Sequence, residues 1–384
     1  MPIHFTEDEL ARRRSEACRM MENRGVHGLL MFRQESMYYL TGYDTFGYVH
    51  FQALYLGADG AMTLLTRAPD RLQAKQTSVI ENIRIWIDRE GATPGDDLRE
   101  LMADHGCKGQ KIGIELEAYG LTARKGKMVE AALDGFCTLE DASDLVSRLR
   151  LVKSPAELAY VRRASELVDA AYDEAVALAR PGAFEGDIIA AMQSAIYRGG
   201  GDDPANEHII GSGPQALLCR YQTGRRTLEA DDQLTLEFAG VYRHYHSCLM
   251  RTFKIGTPPS PAMVDMHKAA TDSLVAAEAA LKPGSPIGEV FDAHASVLDE
   301  AGYKHARMNA CGYSLGTTFA PNWMDWPMFY HGNPVIAEPG MVFFIHIIIF
   351  DEDKGLAMTH GRTSEVTETG STPLSKSSLE FVGA

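Results

Sequence analysis

Apolar and polar positions in the first part of the chain follow two periods, which predict helices and strands in turn. Residues 7–23 carry apolar side chains at helical spacing, and residues 25–32 form an apolar run that is typical of a buried strand. Two further apolar runs flank the turn-forming sequence Gly-Ala-Asp-Gly at residues 57–60 and predict a hairpin. The pattern therefore predicts an α/β domain over residues 1–150.

A second domain begins where the sequence Ser154-Pro155-Ala156-Glu157 marks the start of a helix. Serine is the N-cap, proline takes the first helical position, and glutamate completes a capping box. The predicted helix ends before Pro181-Gly182, and a similar helix begins at Ser260-Pro261 and ends before Pro283-Gly284. Two matching halves predict a pseudo-symmetric domain over residues 151–384, with its site between the halves.

Each half also contains a strand-forming run. Apolar and polar side chains alternate along residues 233–240, which places the leucines on one face of a strand and Glu237 on the other. Residues 341–350 are apolar on both faces except for His346, and an ionisable side chain in such a run requires a partner. Taken alone, a histidine of this kind is more often a hydrogen-bonded core residue than a functional one.

Composition narrows the class of protein. The chain has 384 residues, 45% hydrophobic and 23% charged, which suits two globular domains and excludes disorder and collagen-like repeats. Its 52 acidic and 37 basic side chains, with a net charge of −15, argue against nucleic acid or an anionic membrane as partner. No apolar run approaches the ~20 residues of a membrane span. The N-terminus lacks the apolar core of a signal peptide, so a cytoplasmic location is expected.

The six cysteines are scattered without a CxxC pair and indicate neither a disulfide framework nor a thiolate zinc site.

Four segments of the chain resemble the pita-bread family of methionine aminopeptidase, prolidase, aminopeptidase P and creatinase. They are residues 149–157, 241–252, 339–343 and 366–370. The resemblance implies an α/β (α+β) fold, in which a creatinase-like N-terminal α/β domain precedes a pseudo-symmetric pita-bread C-terminal domain.

The peptidases of that family bind two metal ions through two aspartates, one histidine and two glutamates. The resemblance carries those positions to Glu237, Cys248, Tyr313, His346 and Gly361. Only Glu237 keeps a carboxylate, and this set cannot replace five hard oxygen and imidazole ligands. The sequence therefore predicts no metal ion and no other cofactor. Tyrosine, histidine and glutamate facing one cavity would instead form a proton-transfer set.

The chain is also similar to the metal-free, ectoine-hydrolysing branch of the family. The similarity rests on residues 218–224, 234–237, 240–246 and above all the block 311–334. Creatinase itself is excluded, because Arg220, Met250 and His346 stand where its catalytic histidine and two glutamates are expected. The resemblance implies opening of the cyclic amidine of ectoine, and of 5-hydroxyectoine as a further candidate, to N-acetylated 2,4-diaminobutyrate. It also implies a homodimer, with a downstream deacetylase as a candidate partner.

Opening an amidinium needs a nucleophile or an activated water at its central carbon, a carboxylate beside the charge, and an acid for the departing nitrogen. We assign Glu237 as nucleophile or base, His346 as proton relay and Tyr313 as hydrogen-bond donor. Arg220 or Arg251 can bind the substrate carboxylate. The remaining candidates for substrate binding are Tyr221, Trp323, Trp326, Phe329, His244, His360 and, from the N-terminal domain, Tyr43 and Phe46.

Each role has a structural alternative. Glu237 can form a salt bridge with Arg220 or Arg251. The aromatic candidates can be packing residues, although Asn322, Asp325 and Pro327 predict that the segment with Trp323 and Trp326 is a loop. Two other functions also stay open: a creatinase-type hydrolase of another guanidino or amidine solute, and a binding module that reuses the fold without catalysis. The first would consume a different solute, and the second would turn over nothing and would not need a carboxylate at residue 237.

Overall fold

The computed structural model describes residues 3–91, 93–220 and 225–383. Internal contacts divide the chain into two compact units, Met1–Arg150 and Leu151–Ala384. Within the described ranges, no helix is both long enough and apolar enough to cross a membrane.

The N-terminal unit is built on a six-stranded sheet with the strand order β4-β3-β2-β1-β5-β6. Its strands are β1 (Gly28–Met31), β2 (Ala53–Gly57), β3 (Met62–Thr66), β4 (Ile83–Ile85), β5 (Lys111–Ile114) and β6 (Thr138–Asp141). Its helices are α1 (Glu7–Arg24), α2 (Gln34–Thr41), α3 (Asp70–Thr77), α4 (Pro94–Asp104), α5 (Ala123–Leu133) and α6 (Asp144–Leu149). A short 3₁₀ helix covers Gly47–Val49.

Alternate residues of β1 enter two separate cores. Leu29 packs with residues of α1, α2 and α6, whereas Leu30 packs with residues of α4 and α5 on the other face. The predicted first helix is confirmed as α1, and the predicted hairpin is confirmed by the antiparallel pairing of β2 with β3. The sheet is therefore covered by helices on both faces.

The C-terminal unit contains two long helix pairs and a nine-stranded sheet. Its helices are α7 (Pro155–Leu178), α8 (Glu185–Arg198), α9 (Pro261–Ala280) and α10 (Gly288–Glu300), with a 3₁₀ helix at Gly213–Leu217. Its strands are β7 (Ile209–Ser212), β8 (Gln233–Tyr242), β9 (Tyr245–Lys254), β10 (Gly312–Ser314), β11 (Asp325–Met328), β12 (Val342–Asp351), β13 (Leu356–Thr367), β14 (Gly370–Pro373) and β15 (Val382–Gly383). The main path of the sheet is β11-β10-β12-β13-β9-β8-β7.

The predicted helix starts are found in both halves. The Ser154 hydroxyl accepts a hydrogen bond from the Glu157 amide, and the Glu157 carboxylate accepts one from the Ser154 amide, which confirms the capping box. Ser260 caps α9 in the same way, through the Met263 amide. One difference lies at Asp325–Met328, where the sequence predicted a loop and the structure has strand β11.

One face of this sheet is covered by the long helices α7 to α10, and Glu237 lies on the other. Leu236 and Phe238 pack with α7 and α8 in one core, and Ile345 and Ile347 pack with α9 and α10 in another. Because side chains alternate along a strand, Glu237 must point to the face opposite the long helices. The predicted catalytic residue Glu237 is therefore on the face that the long helices leave uncovered.

Candidate active site

Four neighbouring strands place Glu237 and His346 in one row, on the sheet face opposite the long helices. Glu237 of β8 pairs with Met250 of β9, Met250 with Gly361 of β13, and Gly361 with His346 of β12. Residues directly opposite each other in an antiparallel sheet project to the same face. Glu237 and His346 therefore share a face, separated by a methionine and a glycine.

Tyr313 contacts Glu237 from the next row. It pairs with Phe344, two residues from His346 on the same face, and its hydroxyl donates to Glu237 Oε1 at 3.2 Å. The indole Nε1–H of Trp323 donates to the Tyr313 oxygen at 2.8 Å, and the Tyr313 and His346 rings lie 5.5 Å apart. The structure thus brings the three predicted catalytic residues together and adds Trp323 to them.

The Glu237 carboxyl is buried, and burial raises its pKa to about 7. The hydrogen bond from Tyr313 and the positive charge of Arg220 both favour the ionised form and oppose this rise. A carboxyl group that changes charge near neutral pH is suited to general-base or nucleophilic chemistry.

Burial shifts the pKa of His346 in the opposite direction. It lowers the pKa of the imidazole to about 4, and Nδ1 has no hydrogen-bond partner within the described part of the chain. Burial also raises the pKa of the Tyr313 phenol well above its usual range. Near neutral pH, His346 is therefore a neutral imidazole and Tyr313 keeps its proton. The predicted role of His346 as a proton relay rested on the ordinary pKa of histidine, and burial lowers that pKa.

The residues at the five metal-binding positions do not fit two divalent ions. Gly361 supplies no ligand, and a Cβ atom there would lie 2.8 Å from the Ile345 carbonyl oxygen. Burial raises the pKa of the Cys248 thiol well above its usual value, although a thiol must ionise to bind a metal. Over residues 3–91, 93–220 and 225–383, no group of three or more histidine, cysteine, aspartate or glutamate side chains is placed to hold a metal ion.

A small cavity, with room for roughly one water molecule, opens beside Glu237. The other lining residues are Ile209, Leu218, Cys219, Thr235, Leu236, Met250, Phe350 and Thr359. Leu218 and Cys219 are exposed, as is the following residue Arg220, whose charge acts on Glu237. Residues 218–220 therefore stand at the rim of this cavity. Tyr221 lies outside the described residues.

The structure does not bring the other C-terminal candidates to Glu237. Phe329 packs at 4.6 Å on Phe343 in the core beneath the sheet, and Trp326 is half-buried against that same core. His360, one residue from Gly361, points to the opposite face. His360 lies 5.2 Å from the His267 ring.

His244 lies in the turn between β8 and β9, and the N-terminal candidates belong to the other unit. The His244 backbone has a φ of +63°, and its ring stacks at 4.3 Å on Phe319. Tyr43 is buried in its own unit, with its hydroxyl 3.4 Å from the Gln52 side-chain oxygen that accepts its hydrogen bond. Phe46 is 76% exposed.

Sequence reasoning missed two kinds of residue near the site. Asn206 accepts a hydrogen bond from the Trp323 amide at 3.2 Å and so fixes the indole that contacts Tyr313. Leu218 and Phe350 line the cavity. Phe350 could have been found, because it lies four residues after His346 and must share its face. Nothing in the sequence pairs Asn206 with Trp323.

Comparisons with known proteins agree with this architecture. Residues 159–368 match the metallopeptidase family M24, and residues 13–152 match the creatinase/prolidase N-terminal domain. Ectoine hydrolase of Halomonas elongata is 26% identical, over 96% of this chain and 95% of that protein. A probable dipeptidase PepE of Mycobacterium tuberculosis is 27% identical, over 89% of this chain and 88% of that protein.

Solved structures show the same fold. Dipeptidase PepE from Mycobacterium ulcerans is 25% identical with a TM-score of 0.85, and the match covers 99% of each chain. Prolidase from Thermococcus sibiricus is 20% identical with a TM-score of 0.88, covering 99% of this chain and 100% of that one. The fold and the family matches thus define a pita-bread hydrolase domain that follows a creatinase-like N-terminal domain in the chain, and the predicted fold class is confirmed. The chain belongs to metallopeptidase family M24.

Proposed function

We propose that this protein is a metal-independent hydrolase that opens the cyclic amidine ring of ectoine. The observation that carries the proposal is the buried Glu237 carboxyl, with a pKa of about 7 and a hydrogen bond from Tyr313, within a set of residues that does not fit two metal ions. The similarity to ectoine hydrolase over nearly the whole of both chains supports the same substrate.

The reaction needs one water molecule and breaks one ring C–N bond. Ionised Glu237 either attacks the amidine carbon, to give an intermediate that water then hydrolyses, or takes a proton from the water that attacks. In both cases the water oxygen becomes the amide oxygen of N-acetylated 2,4-diaminobutyrate. The departing ring nitrogen leaves as an amine after it receives a proton.

Tyr313, Trp323 and His346 support that step. The hydrogen bond from Tyr313 stabilises the charged form of Glu237, and the Trp323 indole orients the phenol. The neutral His346 imidazole, with its Nδ1 unpartnered in the described structure, can bond to an N–H of the substrate or pass a proton within the site. Arg220, at the rim, is proposed to bind the substrate carboxylate.

The location, partner and oligomeric state that we propose rest on the same resemblance. The protein would act in the cytoplasm in compatible-solute degradation, and a deacetylase would consume its product. It would be a homodimer in which the exposed Phe46 contributes to the cavity of the second copy. 5-Hydroxyectoine is a second candidate substrate.

The substrate is tested by incubating purified protein separately with ectoine, 5-hydroxyectoine, creatine and a Xaa-Pro dipeptide, each followed by NMR. We expect the ectoine ring signals to be replaced by those of the N-acetylated diamino acid. Consumption of creatine without ectoine would instead indicate another amidinohydrolase. Cleavage of the dipeptide would indicate a peptidase, and no turnover of any compound would favour a binding module.

Exhaustive dialysis against a chelator is expected to leave ectoine hydrolysis unchanged. The reason is the chemistry of the ligand positions, where glycine, a protonated thiol and a neutral imidazole replace charged oxygen ligands and a protonated phenol replaces the histidine. Metal content is measured on the same samples and should lie well below one ion per chain. Stoichiometric iron, zinc or manganese whose removal abolishes turnover would refute metal independence.

A further inference from the structure

We infer that the cavity beside Glu237 binds the alkyl substituent on the amidine carbon, so that the enzyme selects carbon-substituted amidines over guanidines. This inference rests on the proposed function and adds to it the feature of the substrate that is recognised. The lining residue Met250 is the specificity-determining residue that we assign, because it lies next to Glu237 in the same row.

The cavity lies on the opposite side of Glu237 from Tyr313. Thr235 and Thr359 line it, and they stand two residues before Glu237 and Gly361 on strands that run in the same direction. Tyr313 pairs with Phe344 in the row on the other side of Glu237. The Glu237 carboxylate therefore lies between Tyr313 and the cavity.

The cavity side is apolar in character. Ile209, Leu218, Met250 and Phe350 contribute hydrocarbon, sulfur and aromatic surface, and Glu237 is the one carboxylate among the described lining residues. The threonine hydroxyls on this side are already engaged. Thr235 donates to the Ala216 carbonyl at 3.0 Å.

The hydroxyls of Thr359 and Thr252 bond to each other at 3.1 Å, so they too are engaged. An alkyl group that enters the cavity would displace water from apolar surface without leaving these hydroxyls unpaired. An amino group in the same place would lose hydrogen bonds to water against the hydrocarbon of Ile209, Leu218 and Phe350, with Glu237 as the one charged acceptor among the described lining residues. The cavity therefore favours carbon over nitrogen as the substituent.

The geometry of an amidinium places its substituent at this cavity. The substituent is bonded to the same carbon that Glu237 must reach, and it neighbours both N–H groups of the ring. A carboxylate that attacks this carbon, or bonds to one N–H, is therefore next to the substituent. With Tyr313 on one side of Glu237, the substituent fits the cavity on the other.

The test compares ring analogues of ectoine that carry hydrogen, methyl, ethyl or amino at the amidine carbon. Wild-type protein should open the methyl compound about 10- to 200-fold more efficiently in kcat/KM than the hydrogen compound, as expected for one methyl group in an apolar pocket. The amino compound, a cyclic guanidine, should be the poorest substrate. Met250→Ala should raise the ethyl-to-methyl ratio at least tenfold, because it enlarges the pocket.

Two matched variants complete the experiment. Met250→Leu should keep the wild-type order of substrates, and Met62→Ala, in the N-terminal unit, should leave every ratio unchanged. Equal kcat/KM for the hydrogen and methyl compounds, or an unchanged ethyl-to-methyl ratio in folded Met250→Ala, would overturn the pocket assignment while ectoine opening stands. If no compound of the series is opened, the proposed function fails, and the pocket assignment fails with it. The wild-type series decides the question even if Met250→Ala does not fold.

Discussion

Replacing Glu237 by glutamine is expected to reduce ectoine turnover by at least ~10²–10⁴-fold, the contribution of one positioned acid–base group. Glutamine keeps the size of the side chain and can still accept the hydrogen bond from Tyr313. It removes the negative charge and with it both the nucleophile and the base. The loss should be larger still if the reaction passes through a covalent intermediate on this carboxylate.

The measurement is kcat for ectoine by NMR, together with ectoine binding by calorimetry. Glu365→Gln is the matched control, because Glu365 is also a buried glutamate of the same sheet but pairs with Arg162 and not with Tyr313. The control should keep wild-type turnover within a few-fold. A folded Glu237→Gln protein that binds ectoine and turns it over at nearly the wild-type rate would place the base elsewhere.

The helices were predictable because their signals are local. A capping serine, a proline at the first helical position and a Pro-Gly after the end lie within one chain segment, and they define α7 almost to the residue. Strand β11 was missed for the opposite reason. The turn-forming residues between 322 and 327 indicate a loop, and the strand exists because Ser314 pairs with Asp325. Such long-range pairing has no local signal.

The candidate site was predictable as far as strand alternation reaches. Alternation assigns Glu237 to the face opposite Leu236, and the structure places it there. The same rule explains why His360 is not at the site. Gly361 is the residue that pairs with His346, and a shift of one residue moves a side chain to the other face of a sheet.

The cavity could not have been predicted in the same way. Leu218, Met250 and Phe350 come from a loop and two strands that are far apart in the chain. Their proximity depends on the strand order β12-β13-β9-β8, which pattern analysis does not supply. The pKa values of Glu237 and His346 depend on this burial, so they too become known only with the fold.

The same glutamine substitution is expected to stabilise the folded protein above pH 7, by about 3 kcal/mol in the free energy of unfolding. Glu237 has a pKa of about 7 in the folded protein against an ordinary value of 4.5. The folded state therefore holds this proton more tightly than the unfolded chain does. The stability that the neutral carboxyl gives is fully present below pH 4.5 and is lost as the pH rises through 7.

Glutamine is neutral at every pH and escapes that loss. The difference in unfolding free energy between Glu237→Gln and wild type should therefore be small near pH 4.5, grow between pH 4.5 and 7, and stay constant above pH 7. Urea unfolding of both proteins at pH 5 and pH 8 measures it, and all other titrating groups cancel between the two. A difference that is equal at the two pH values would mean that the carboxyl is ionised throughout, and that burial does not hold it near neutrality. An inactive but more stable variant at pH 8 would show that the site keeps a charge at a cost to folding, as expected where a buried carboxylate serves the reaction.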